Sequence, residues 1–286
     1  MNAGLHELPL VLFTVLAQSA VGAIILMAVY LLLQADDPQR QRKVTIFLLL
    51  PLILLGLGFA ASILHLGSQS RAFNSLNRIG SSALSNEIAA GSLFFILAGL
   101  YWLLQLLNKM PAILNKLWLL ILIVSGGIFT YVMSSVYLIS TVPTWNNAYT
   151  PVSFLLTALL AGFILGYALL RFAGVETDRL RLVPPILVFA LLLAVCLVVF
   201  QTTTLAGIQT SVQKAVELAP DYSKMMVIRF ILLFGGVGLL FYSRCNKNNL
   251  PGFSLCASVI FVVVAELIGR ILFYGLHMTV GTAIAG

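Results

Sequence analysis

The sequence predicts an all-α integral membrane protein, a bundle of about eight transmembrane helices, and three observations carry that reading. Hydrophobic residues fill 60% of the 286 positions and charged ones 9%, with a mean hydropathy of +1.06. That is more apolar surface than a soluble core of this size can hide. Eight apolar runs each reach the roughly 20 residues that a helix needs to cross about 30 Å of hydrocarbon. No run alternates with the two-residue period of a barrel strand, so the backbone polar groups of each span must be satisfied within a helix.

The spans run from about Leu10 to Leu33, Val44 to Leu66, Asn86 to Leu107, Leu117 to Ile139, Val152 to Leu170, Leu182 to Gln201, Tyr222 to Tyr242 and Ser254 to Tyr274, and together they form one polytopic membrane domain, 1–286. The first follows His6 and Glu7 without any Lys or Arg and is far longer than a signal-peptide core, so it is expected to be a retained span. Ser85 is expected to cap the third helix and to place Glu87 in its first turn, where the helix dipole favours a carboxylate. No charge occurs from Leu117 to Leu170. The division there rests on the polar break Thr141-Val-Pro-Thr-Trp-Asn-Asn147 and on Pro151. Gly126-Gly127 and Gly162-Phe-Ile-Leu-Gly166 mark surfaces for close helix approach. The connections 66–85 and 202–221 exceed the roughly 2 to 8 residues that bundle loops need. In the second, Leu205, Ile208, Val212 and Val216 recur at helical spacing and predict a helix lying on the membrane or capping the bundle.

The formal charge of +7 is a topology signal. Its Lys and Arg are spread through loops, with no basic stripe for nucleic acid. One side receives Arg40, Arg42, Lys43, Lys109, Lys116, Arg171, Arg179, Arg181, Arg244 and Lys247. The other receives Arg71, Arg78, Lys214, Lys224, Arg229 and Arg270. The first side is therefore expected to be cytoplasmic and both termini to face outward, into the periplasm of a Gram-negative cell. Cys196, Cys245 and Cys256 form no C-x-x-C pair and no metal spacing, so neither a metal site nor an iron-sulfur cluster is expected in this chain. The three histidines, His6, His65 and His277, all fall near the outward ends of spans, which argues against a haem held by two facing ligands.

Ionisable side chains at membrane depth are costly and mark candidate functional residues. His65 ends the second span and Glu87 begins the third, so an antiparallel hairpin brings a base and an acid to similar depth. A quinol that loses two electrons also loses two hydroxyl protons, and each needs an acceptor within hydrogen-bond reach. Neutral His and carboxylate both accept, although a transporter can place the same pair in the same position. The eighth span carries Glu266-Leu-Ile-Gly-Arg270-Ile-Leu-Phe-Tyr274-Gly-Leu-His277. Glu266 and Arg270 have the spacing of a helical ion pair, and Arg270, Tyr274 and His277 line up toward the outward end.

Particular strings add to this. His65-Leu-Gly-Ser, Arg71-Ala-Phe-Asn-Ser-Leu-Asn-Arg78-Ile-Gly80, Ala83-Leu-Ser-Asn-Glu87-Ile, Thr141-Val-Pro-Thr-Trp145, Ala219-Pro-Asp-Tyr222, Glu266-Leu-Ile-Gly-Arg270 and Phe273-Tyr-Gly-Leu-His277-Met-Thr-Val-Gly281 together resemble the membrane-anchor subunit of bacterial anaerobic dimethyl sulfoxide reductases, over essentially the whole chain. The resemblance implies an eight-helix anchor without its own haem in the bacterial inner membrane. It further implies menaquinol as the bound substrate, a four-cluster iron-sulfur subunit that takes the electrons, and a molybdopterin catalytic subunit beyond it. The histidine and glutamate matching His65 and Glu87 belong to the family's quinol site. Arg71 and Arg78 are expected to hold the docked iron-sulfur subunit or to stabilise a developing quinone anion. Glu266, Arg270, Tyr274 and His277 are expected to bind or support the quinol. The competing readings are a polytopic transporter with Glu87, Glu266 and Arg270 as a relay, and a passive assembly anchor.

Overall fold

The computed structural model describes residues 2–33, 37–65, 77–209, 214–218, 221–245 and 251–279. Among them are eight helices long and apolar enough to cross a membrane. They are α1 (Leu8–Leu33), α2 (Pro38–Phe47 continued by Leu49–His65), α3 (Ala83–Leu106), α4 (Ala112–Ser135), α5 (Tyr149–Thr157, a π-helical turn Ala158–Gly162, then Phe163–Phe172), α6 (Val183–Gly207), α7 (Tyr222–Cys245) and α8 (Pro251–Gly275). A short helix, Asn2–His6, precedes α1 and lies against α8, where Gly4 meets the Ile271 carbonyl. Successive spans alternate in direction, so the chain start, the end of α8, the α2–α3 and α4–α5 connections and the α6–α7 connection share one end of the bundle. This end is called the termini face below.

Two helices form the centre. In α1 and α5 the most apolar stretch is 78% and 72% buried, against 28–44% in the other six. A span buried on every side needs no apolar stripe, and α1 needs room instead. Small residues supply it: Gly22 abuts Ala158 and Gly162, and Gly166 abuts Ala23. The expected G-x-x-x-G surface of α5 therefore packs on α1, and its π turn lies at that contact. Gly126 of α4 faces Ile25 of α1 and Phe94 of α3, whereas Gly127 meets nothing within 4 Å. Around this pair, α2, α4 and α8 also touch α1. The outermost α3 leans on α2 and α4, while α6 and α7 close the opposite side.

Several boundaries differ from the sequence expectation, each for a local reason. The second helix starts at Pro38, not near Val44, because Asp37 caps it: its Oδ1 accepts from the backbone N–H of Gln39 (3.0 Å) and Arg40 (3.3 Å), with proline at the first helical position. Ser82, not Ser85, occupies the cap position of α3, so Glu87 falls in the second turn, beyond the strongest part of the helix dipole. Asn86 reaches back there, accepting from the Gly80 N–H at 2.6 Å. The fourth helix stops at Ser135 because Tyr137 and Leu138 bond to the carbonyls three residues back, which swings Tyr137 inward. The helix expected through Leu205, Ile208, Val212 and Val216 does not form. Leu205 belongs to α6, which ends at Gly207, and Gln209 pairs with Lys214 in an antiparallel bridge before a 3₁₀ turn, Ala215–Leu218. Val212 lies outside the described residues.

The α1–α5 contact predicts a strong position dependence. A Cβ on Gly162 would stand 2.5 Å from Gly22 Cα and 2.9 Å from its carbonyl carbon, atoms that cannot yield without parting the helices. Gly162→Leu is expected to cost about 3 kcal/mol or more, at or above the usual range for overpacking. Gly127→Leu is expected to stay within about 0.5 kcal/mol. Thermal denaturation of the purified protein in detergent measures both.

Candidate functional site

A column of polar side chains runs from the termini face into the bundle. Its deep part is built on four helices. Glu266 of α8 is 2% exposed and accepts from Arg229 Nη2 of α7 at 3.2 Å on both carboxylate oxygens. Its Oε2 also accepts from the Thr157 hydroxyl of α5 at 2.7 Å. Arg270, one turn along α8, donates through Nη2 to Gln18 Oε1 of α1 at 2.8 Å and to Thr157 Oγ1 at 3.3 Å. Its guanidinium carbon lies 3.6 Å from the centre of the Phe154 ring, a cation–π contact of the kind that gains strength away from water. Gln18 is fixed in turn by Met133 Sδ at 3.3 Å.

Sequence spacing pairs Glu266 with Arg270, and the structure corrects this. The ion pair joins Glu266 to Arg229 of the neighbouring helix, while Arg270 turns to Gln18 and Phe154. An intrahelical pair would leave Arg229, itself 8% exposed, without a counter-charge, and an unpaired buried charge is the costlier arrangement. Arg229 and Arg270 are thus interior groups, not loop charges. The termini face then keeps Arg71, Arg78, Lys214 and Lys224 against ten basic residues opposite.

Nearer the termini face an aromatic wall closes the column. Tyr137, at the end of α4, shares a short hydrogen bond with the Tyr274 hydroxyl, which also engages Thr14 of α1. Trp145 stacks on Phe273 with ring centres 5.2 Å apart, and its indole N–H donates to the Phe273 carbonyl at 2.8 Å. That bond satisfies one of the carbonyls that a helix C-terminus leaves open. His277 is exposed and packs on Trp145, centres 4.6 Å apart.

Glu87 of α3 lies near this wall. It is 4% exposed, acts electrostatically on Tyr137 and Tyr274, and its Oε1 has no hydrogen-bond partner among the described residues. His65 ends α2, the neighbour of α3; its side chain lies outside the described residues, as does all of Arg71. Arg78 is exposed in the turn before α3. The structure therefore gathers Glu266, Arg270 and Tyr274 into one column and places Glu87 beside it. His277 sits at its mouth and Arg78 outside it. Sequence reasoning missed Gln18, Thr157, Arg229 and Tyr137. The first three were legible as polar residues inside apolar runs at matching depth. Tyr137 was not, because its position depends on how α4 ends.

Comparison with known proteins agrees on one family. The family model described as DMSO reductase anchor subunit (DmsC) matches residues 1–276. The YnfH subunit of an anaerobic dimethyl sulfoxide reductase of Escherichia coli is 49% identical over 288 aligned positions, covering the full length of both proteins. The C subunits of the anaerobic dimethyl sulfoxide reductases of Haemophilus influenzae and Escherichia coli are each 46% identical, again over the full length of both proteins.

The deep network predicts asymmetric mutational costs. Glu266→Ala leaves Arg229 unpaired and is expected to cost about 3–5 kcal/mol. Adding Arg229→Met, which removes the stranded charge while keeping the bulk, is expected to recover most of that loss. A double-mutant cycle on thermal denaturation of the purified protein checks the sign of the coupling.

Proposed function

The chain belongs to the DMSO reductase anchor subunit family, and from that premise we propose that it binds menaquinol at the termini face and oxidises it for anaerobic respiration. As an anchor subunit it is a multi-pass protein of the bacterial inner membrane and serves a complex with electron-transfer and catalytic partners. In the proposed reaction, electrons pass to a four-cluster iron-sulfur subunit docked on the termini face and from there to a molybdopterin subunit that reduces the terminal acceptor.

The observation that carries this reading is the unclaimed Oε1 of Glu87. A buried carboxylate oxygen without a partner costs free energy, so it marks a place where a hydrogen-bond donor belongs. A quinol hydroxyl is such a donor. The ring enters from the bilayer between the ends of α2, α3 and α8. One hydroxyl proton goes to Glu87 Oε1 and the other to the unprotonated ring nitrogen of His65, as the two electrons leave for the docked subunit. The quinone then departs into the bilayer, and both protons are released at the termini face. Tyr274, with Arg270 and Glu266 behind it, holds the aromatic wall against which the ring packs. His277 borders the opening, and Arg71 and Arg78 face the docked subunit.

The basic residues, ten against four once the interior arginines are set aside, orient the termini face toward the periplasm. A tag at either end is expected to react with a membrane-impermeant reagent in intact spheroplasts, and protection of both tags until lysis would reverse the orientation. The chemistry is tested in membranes holding the assembled complex. Glu87→Gln keeps the size and removes the proton acceptor, so quinol-dependent acceptor reduction is expected to fall about 100-fold or more, with dye-dependent reduction unchanged. Full quinol activity in this variant would move the site away from Glu87.

A further inference from the structure

We infer that the polar cavity between α5, α6, α7 and α8 is a water-binding site, in which ordered water reaches from the termini face down to the Glu266–Arg229 ion pair. The cavity measures about 40 Å³. A buried water needs at least about 10–15 Å³ of such space, so roughly one to three molecules fit. A ring, a lipid headgroup or an acyl chain does not.

The polar lining descends from the surface into the bundle. Gln201 near the end of α6 and Tyr222 at the start of α7 are partly exposed, whereas Thr157, Arg229 and Glu266 are buried. Seven residues of helix separate Tyr222 from Arg229, a depth of about 10 Å along α7.

The hydrogen-bonding capacity of this lining selects water over an ion. The Ser153 hydroxyl donates to the Thr150 carbonyl at 2.8 Å, and the Thr150 hydroxyl donates to the Trp145 carbonyl at 2.7 Å. Their protons are committed, so toward the cavity both oxygens can only accept. The Tyr222 hydroxyl is buried without a hydrogen-bond partner among the described residues and can donate, while the Gln201 amide can do either. A halide accepts but cannot donate, and a metal cation would face two guanidinium groups against one carboxylate. Water donates, accepts and carries no charge, and it finds here the two to four polar partners that a buried water requires. So few molecules cannot hydrate Glu266, Arg229 and Arg270 in full, and the ion pair and the cation–π contact remain necessary. They do place a reorientable dipole beside that pair, which lowers the cost of keeping it ionised away from bulk solvent.

Millisecond X-ray radiolysis of the purified complex in detergent, with a radical scavenger in the bulk solution, tests this, because radicals formed from a bound water oxidise the side chain next to it. Met226 lines the cavity, whereas Met27 and Met133 are fully buried and do not. Met226 is expected to become the sulfoxide about fivefold faster or more than Met27 and Met133, as a methionine beside buried water should. Ala194→Val fills the cavity from α6 and is expected to slow Met226 to the rate of those two. If Ala194→Val prevents assembly, Ser153→Val fills the same space from α5 and is expected to do the same. Equal rates at all three methionines in the unaltered complex would overturn the proposal. So would fast oxidation of Met226 that persists once the cavity is filled, which would assign its reactivity to its own exposure.

Discussion

Two guanidinium groups and one carboxylate share an interior that cannot solvate them, and much of the bundle is arranged around that constraint. Glu266 has both oxygens occupied by Arg229 and Thr157, and Arg270 is held by Gln18, Thr157 and the face of Phe154. These partners come from α1, α5, α7 and α8. The network can close only if α1 and α5 approach closely enough for Gln18 and Thr157 to reach the same arginine. That approach is what Gly22 and Gly162 permit. The π turn Ala158–Gly162 begins directly after Thr157, and such turns often accompany functional positions. Gly269 belongs to the same arrangement, since a Cβ there would stand 2.7 Å from the Arg229 guanidinium.

The aromatic wall follows from the same packing. Tyr137 reaches Tyr274 because α4 ends early and its last turn tightens. Trp145 reaches the end of α8 because the α4–α5 connection folds back, with the Trp145 carbonyl accepting from the Thr150 hydroxyl at 2.7 Å and the Asn147 side chain accepting from the Tyr149 N–H. The connection from Val136 to Ala148 is therefore part of the site's construction, and its polar composition is what divides fifty-four uncharged residues, 117–170, into two spans.

Hydropathy is a property of single runs, so the eight spans and the common end of their ionisable residues were legible from sequence. Cap choice was less so. Ser81, Ser82 and Ser85 all stand near the start of α3, and which one takes the cap position depends on the Gly80 turn and on Asn86 bonding back to it. The partner of Glu266 was not legible at all. Arg270 is four residues away, Arg229 thirty-seven, and which helices adjoin is a tertiary fact that periodicity does not encode. The 205–216 segment misled for the opposite reason. Its apolar spacing is real, but the chain satisfies Leu205 and Ala215 by packing them under Leu276 and Met278, and a bridge achieves that in place of a helix.

Among the described residues, two carboxylates thus lie buried in the membrane-spanning region, and their surroundings differ in kind. Glu266 accepts a charged donor on both oxygens and a hydroxyl on one of them. A group so held serves geometry, keeping α7 and α8 in register and Arg229 packed on Gly269. Glu87 has no ion pair among the described residues, keeps one oxygen unclaimed, and sits in the second turn of α3. A donor placed at Oε1 disrupts no existing bond there. Of the two, Glu87 is therefore the one with an oxygen open to a hydroxyl donor, as the proposed quinol chemistry requires, while both oxygens of Glu266 are taken up in holding helices together.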